Sequence, residues 1–151
     1  MIIGVKAEAV NFNGAYDLND PMRLFVRNQM TAHLSSIDTD DAICIVRASI
    51  GFELDFIYAC QENEIPYIVY IPFKGIEERW PPQIKRVYKE ILKLSKQKFV
   101  KNGGGYSPKK IKLTQDFIET TANELVVVKN SERIFNQPIV RVEPVIEKTN
   151  R

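Results

Sequence analysis

Long apolar runs are missing from this chain of 151 residues. No stretch approaches the roughly 18 to 20 apolar residues that span a bilayer. The opening Met1-Ile2-Ile3-Gly4-Val5 meets charge at Lys6 too soon to read as a secretory signal. The expectation is a soluble, cytoplasmic protein. Cysteine is nearly absent: Cys44 and Cys60 sit inside apolar stretches without CxxC spacing, which predicts two buried free thiols rather than a disulfide or a metal site. The single histidine, His33, falls on a helical pattern and cannot build a zinc cluster. No repeat, low-complexity tract or linker divides the chain, so residues 1–146 read as one domain, with a flexible tail at 147–151. No metal and no cofactor is implied.

Charge of one sign is also scarce overall, with a formal net charge of +2, but its distribution is uneven. Residues 1–73 carry 4 basic and 10 acidic side chains, a net of −6, whereas residues 74–112 carry 12 basic and 3 acidic, a net of +9. Such a block is either a solvated helix face or a surface for phosphates.

What is present is an alternation of short buried strands and longer helical patterns. Ile2–Val5, Ala42–Val46, Ile65–Ile71, Lys98–Lys101, Leu125–Val128 and Pro138–Val142 read as strands. Several are apolar throughout, as strands covered on both faces are. Pro66 suits the start of the third, and Pro72 is expected to stop it. Between them, residues 21–36 place Met22, Val26, Met30 and Leu34 on one stripe with Phe25 beside it, Asp20 as N-cap and Pro21 in the first turn. Residues 52–63 present Phe52, Phe56 and Ala59/Cys60 to the core. A helix opened by Trp80-Pro81-Pro82 runs to about Lys96, and another spans about 108–122. Alternation of this kind cannot close by hairpins. It predicts an α/β fold, a three-layer, doubly wound, mostly parallel sheet of Rossmann-like type.

In such a fold, ligands lie beyond the carboxyl ends of the strands. The segments there are Lys6–Gly14, Arg47–Glu53, Pro72–Trp80, Asn102–Ser107 and Lys129–Arg133. In the second, Arg47 follows a buried strand and either forks onto a phosphate or forms a structural ion pair. Ser49 and Gly51 lead into a helix start that offers amides to an anion. Glu53 either complements its own helix dipole or accepts a ribose hydroxyl or, if the protein is an enzyme, is the catalytic acid/base. Gly103, Gly104 and Gly105 expose backbone, and Tyr106 offers a flat face for a base. Ser107 is a helix N-cap, and Lys110 lies in the first turn, where a cation makes better sense beside an anion. Phe73 and Trp80 form an aromatic rim, as packing residues or as brackets for a ring. Lys6 and Glu8 complete the candidate ligand-binding set.

Taken in order, Gly14-Ala15-Tyr16-Asp17-Leu18-Asn19-Asp20-Pro21, Gly51-Phe52-Glu53-Leu54, Ile65-Pro66, Ile71-Pro72-Phe73, Trp80-Pro81, Tyr88 and Gly104-Gly105-Tyr106-Ser107-Pro108 resemble the SLOG superfamily. The similarity is to its small YspA-type branch, related to the Lonely Guy phosphoribohydrolases and DNA-processing protein A, and it runs over residues 1–144. The resemblance implies a Rossmann-like pocket for a nucleotide or nucleotide-derived ligand, and a homodimer or higher homo-oligomer paired through helices. Enzyme members cleave a nucleotide N-glycosidic bond. This chain departs from them in several places. Lys6-Ala7-Glu8 stands where the branch has Gly-His-Arg, and Val46-Arg47 where it has Ser-Gly. Thr114-Gln115 replaces Arg-Asn, Asn123 replaces Asp, and no Gly-Gly-Thr loop follows Leu125–Val128. Without that phosphate cradle, cleavage lacks much of its electrostatic support. The reading is therefore a non-catalytic sensor, regulator or sequestering protein for a nucleotide-like small molecule. The alternatives are a phosphoribohydrolase-like enzyme using Glu53, or a nucleic-acid-binding protein using the basic block.

Overall fold

The apolar runs become strands because each is covered on both sides, and the polar, longer segments between them bury one stripe as helices. The computed structural model describes residues 1–7, 17–134 and 137–143, and beyond Val128 only the course of the backbone. The elements are β1 (Ile2–Ala7), α1 (Pro21–Ser36), β2 (Ile43–Arg47), α2 (Phe52–Glu62), β3 (Tyr67–Phe73), α3 (Pro82–Leu94), β4 (Gln97–Asn102), α4 (Pro108–Thr121), β5 (Glu124–Ile134) and β6 (Gln137–Glu143).

They form one sheet in the order β4-β3-β2-β1-β5-β6. The first five strands are parallel and β6 returns antiparallel to β5. The three-layer, Rossmann-like α/β fold expected from the sequence is the fold observed. Crossovers from β1 to β4 move in one direction along the sheet, and the return to β5 moves in the other. Crossovers of a single hand then place α1, α2 and α3 on one face and α4 on the opposite face. The packing agrees. Ile3, Val5, Cys44, Val46, Val69 and Ile71 join the core under α1–α3, whereas Ile45, Leu125 and Val127 meet Ile118 and Ala122 of α4. Gly4 lets α4 come close: a Cβ there would lie 3.0 Å from the Ala122 Cβ and 3.1 Å from the Ile118 Cγ2.

Capping follows the sequence. The Asp20 side chain accepts from the Met22 amide with Pro21 behind it, and Ser107 accepts from the Lys110 amide with Pro108 at the helix start. Cys44 and Cys60 are both buried and free, and burial pushes the Cys60 thiol up. No helix of the described residues is long and apolar enough to cross a membrane.

Four expectations need correction. Strand β3 runs through Pro72 to Phe73. Pairing with β2 has already ended at Arg47↔Tyr70, so the missing N–H leaves no ladder bond unmade. Helix α3 begins at Pro82 and stops at Leu94, because Lys96 already donates its amide to the Tyr67 carbonyl as β4 begins. On α1, Phe25 is exposed and Arg23 is buried in its place. The inward stripe is Arg23-Val26-Met30-Leu34, and Phe25 lies off it by one residue's rotation. Lys129–Arg133 is not a loop beyond a strand: β5 continues through it and pairs with β6, with a register shift between Asn130 and Arg133. The tail 147–151 lies outside the described residues.

Candidate functional site

Beyond the carboxyl ends of β2, β3 and β4 lies a cavity of about 680 Å³. Its floor is Arg47 at the end of β2 and Phe73 at the end of β3. Ala48, Ser49 and Ile50 form one wall, Lys74, Gly75, Ile76, Glu78, Arg79 and Trp80 a second, and Gly105, Tyr106 and Ile111 a third. The size falls within the range of small-molecule sites, and the place is where a doubly wound sheet binds its ligands.

Of the residues proposed from sequence, Arg47, Ser49, Phe73, Trp80, Gly105 and Tyr106 meet at this cavity. Of the others, those that are described do not line it. Lys6 turns toward α4 and approaches Glu119 at 3.4 Å. Gly51 and Glu53 are not among the lining residues, although Glu53 accepts from Arg47, which is. Gly103 and Gly104 are exposed. Ser107 is engaged as the cap of α4, and the Lys110 Nζ folds back to donate to the Gly105 carbonyl at 2.9 Å. Glu8 is outside the described residues. Sequence reasoning marked Pro72–Trp80 as a ligand-facing segment but did not single out Lys74, Glu78 or Arg79. The signal was there, since two cations within six residues follow a buried strand. Ile50 and Ile111 gave none, because an apolar residue beside a turn looks like core.

Arg47 and Glu53 form the most constrained pair at the site. Arg47 Nη2 donates to Glu53 Oε2 at 2.8 Å, and Glu53 is 3% exposed. Arg47 is thus in an ion pair, and it also lines the cavity. Its Nε is buried without a hydrogen-bond partner, and a buried unsatisfied donor costs about 1–3 kcal/mol. Gly51 is tied to the same pair, because a Cβ there would sit 2.8 Å from Glu53 Oε1. With Glu53 counted, the charges at the site are Arg47, Lys74 and Arg79 against Glu53 and Glu78, a net of +1. The net charge of the site is therefore small.

Aromatic walls complete it. Phe73 and Tyr106 meet edge to face with centroids 5.9 Å apart, and Tyr106 is 75% exposed. Trp80 is held edge to face by Tyr88 at 5.1 Å. Tyr106 is thus the exposed aromatic of the cavity, and Trp80 the one packed against a helix.

A second charged group supports the wall from behind. Asp55, on α2, accepts from Arg23 Nη1 at 3.1 Å and from Arg27 Nε and Nη2 at 3.1 and 2.9 Å. Arg23 Nη2 also donates to the Ile50 carbonyl, so α1 is tied directly to a cavity-lining residue. Burial pushes the Asp55 carboxyl up to about 6, against the pull of Arg23 and then Arg27. Burial likewise lowers Arg23, against the pull of Asp55.

Among the described residues, no group of His, Cys, Asp and Glu is placed to hold a metal ion. No family model matches the chain, and no curated protein matches it at a significant level.

Proposed function

We propose that this protein binds a nucleotide or nucleotide-derived anion in the cavity beyond β2, β3 and β4, as a non-catalytic sensor, regulator or sequestering protein. The observation that carries the reading is the meeting, in one cavity, of three cations with three aromatic side chains: Arg47, Lys74 and Arg79 with Phe73, Trp80 and Tyr106. Phosphate needs the first group and a base the second. The resemblance to the SLOG superfamily supports the same ligand class. The buried free thiols fit a reducing compartment, the cytoplasm, as the place of action.

Glu53, the residue a phosphoribohydrolase would use, is buried, bound to Arg47 and absent from the cavity lining. That geometry favours binding without turnover. Isothermal titration of the full chain with adenosine monophosphate, ADP-ribose and a cyclic dinucleotide tests the reading. One of them is expected to bind saturably, and Arg47→Ala is expected to weaken it by about 1.5–3 kcal/mol, as loss of a charge-assisted contact does. No heat with any of the three overturns the reading. Release of free base from nucleoside monophosphates, abolished by Glu53→Gln, overturns its non-catalytic part.

A further inference from the structure

Strand β4 ends the sheet, and no described strand covers its outer edge. The Lys96 amide donates to the Tyr67 carbonyl. With the two-residue period of a strand, residues 98, 100 and 102 also turn their amides toward β3. Gln97, Phe99 and Lys101 turn theirs outward. Natural edges are commonly blunted by charged side chains, above all lysine, by proline, by bulges or by short length, and of these β4 carries the lysines, which oppose a like-charged strand and not an acidic one. Here the pairing runs from Ile68↔Gln97 to Phe73↔Asn102 without a register shift, and the strand contains no proline.

Each face of this mostly polar edge carries one exposed apolar side chain. Phe99 is 44% exposed and stacks on Tyr70 at 5.5 Å; Val100, pointing the other way, is 53% exposed. Around them the charge is positive. Lys96, Lys98 and Lys101 are all exposed, and they lie within the segment 74–112 that carries +9. The Lys101 Nζ sits over the Phe117 ring at 3.9 Å, which holds one of these charges against the apolar patch. Two copies pairing through β4 would press two such basic segments together, which like-charge repulsion opposes. An extended chain bearing carboxylates meets the same lysines favourably.

We propose that β4 is a docking edge for an acidic, extended segment of a partner protein, which adds to the sheet beyond β4. Backbone hydrogen bonds to Gln97, Phe99 and Lys101 hold the segment, apolar side chains cover Phe99 and Val100, and carboxylates meet Lys98 and Lys101. The proposal does not depend on the cavity, and its test does not involve it.

The test titrates the full chain into a fluorescein-labelled peptide, acetyl-Glu-Val-Asp-Val-Glu-Val-Asp-amide, followed by anisotropy at physiological salt. Saturable binding is expected, at least about tenfold weaker for the same peptide with lysine at every acidic position. Phe99→Pro removes an outward amide and leaves the bonds to β3 in place; it is expected to weaken binding about tenfold, the equivalent of one or two ladder hydrogen bonds. The charge-reversed Lys98→Glu/Lys101→Glu variant is expected to bind no better. Amide exchange on the wild-type chain keeps the test decisive if Phe99→Pro fails to fold: the amides of Gln97, Phe99 and Lys101 are expected to slow when peptide is added. Four results overturn the proposal: no binding; binding that leaves those amides unprotected; a wild-type dimer without peptide that Phe99→Pro makes monomeric; or displacement of the peptide by an oligothymidine strand.

Discussion

Two arginine–carboxylate groups lie two residues apart on α2, and they are built to different ends. Positions 53 and 55 do not share a helix face, so Glu53 turns to β2 and Asp55 turns to α1. At Asp55, 0% exposed, two guanidiniums converge and Arg23 has a further partner in the Ile50 carbonyl. At Glu53 one guanidinium arrives, and its Nε is left over beside a cavity. The closed group ties α1 to α2 and to the Ile50 carbonyl; the open one leaves a buried donor without a partner. A buried charge whose partners are met on several sides is held in place, whereas one with a donor left over still carries a desolvation cost.

The largest effect expected is at the closed group. Asp55→Ala strands Arg23 in the core and is expected to lower unfolding stability by about 3–5 kcal/mol in urea denaturation. A loss below about 1 kcal/mol would mean the pair holds nothing together. Next comes its pH dependence. The folded Asp55 carboxyl titrates at about 6, above the roughly 3.9 of an unfolded chain. The native state therefore takes up the proton first, and the contribution of this group to stability rises as pH falls through the window between those values. Relative to Asp55→Asn, which has nothing to titrate there, the gain is expected to reach about 3 kcal/mol. A flat difference between the two chains from pH 7 to pH 4 would remove the shift.

At the open group, Glu53→Gln keeps the shape and frees the Arg47 charge. A cost of about 1–2 kcal/mol in stability is expected, together with tighter rather than weaker binding of the nucleotide anion in titration calorimetry. Weaker binding would show that Glu53 itself touches the ligand. Smallest of all is the exposed pair Lys112–Asp116, four residues apart on α4 at 3.0 Å. Asp116→Asn is expected to shift thermal stability by no more than about 0.5 kcal/mol and leave binding unchanged.

Much of the fold was legible because its signals are local. Apolar runs such as Ala42–Val46, short and β-branched, read as covered strands, and Asp20-Pro21 and Ser107-Pro108 announce helix starts. What failed was decided by neighbours. Arg23 is buried because Asp55 waits for it across a helix pair, and nothing within residues 21–36 records that. Lys129–Arg133 became strand because β6 pairs with it, a contact that composition alone does not disclose. The site followed the same division. Topology put Arg47, Phe73 and Tyr106 at one edge of the sheet before any coordinates. That Gly51 makes room for a carboxylate, and that Lys110 ties down the glycine turn, depends on side chains meeting across turns.

The position of β1 has a cost in time. It lies between β2 and β5. Its first amide donates to the Asn123 side chain at 2.8 Å, 121 residues away, and the Val5 carbonyl accepts from Gln115 at 3.1 Å. At translation speeds of about 5–20 residues per second, roughly 6–24 s separate the synthesis of Ile2 from that of its partner. Until β5 is made, β1 lacks the strand that pairs with it on that side. Closure of the sheet there waits on the last crossover of the chain.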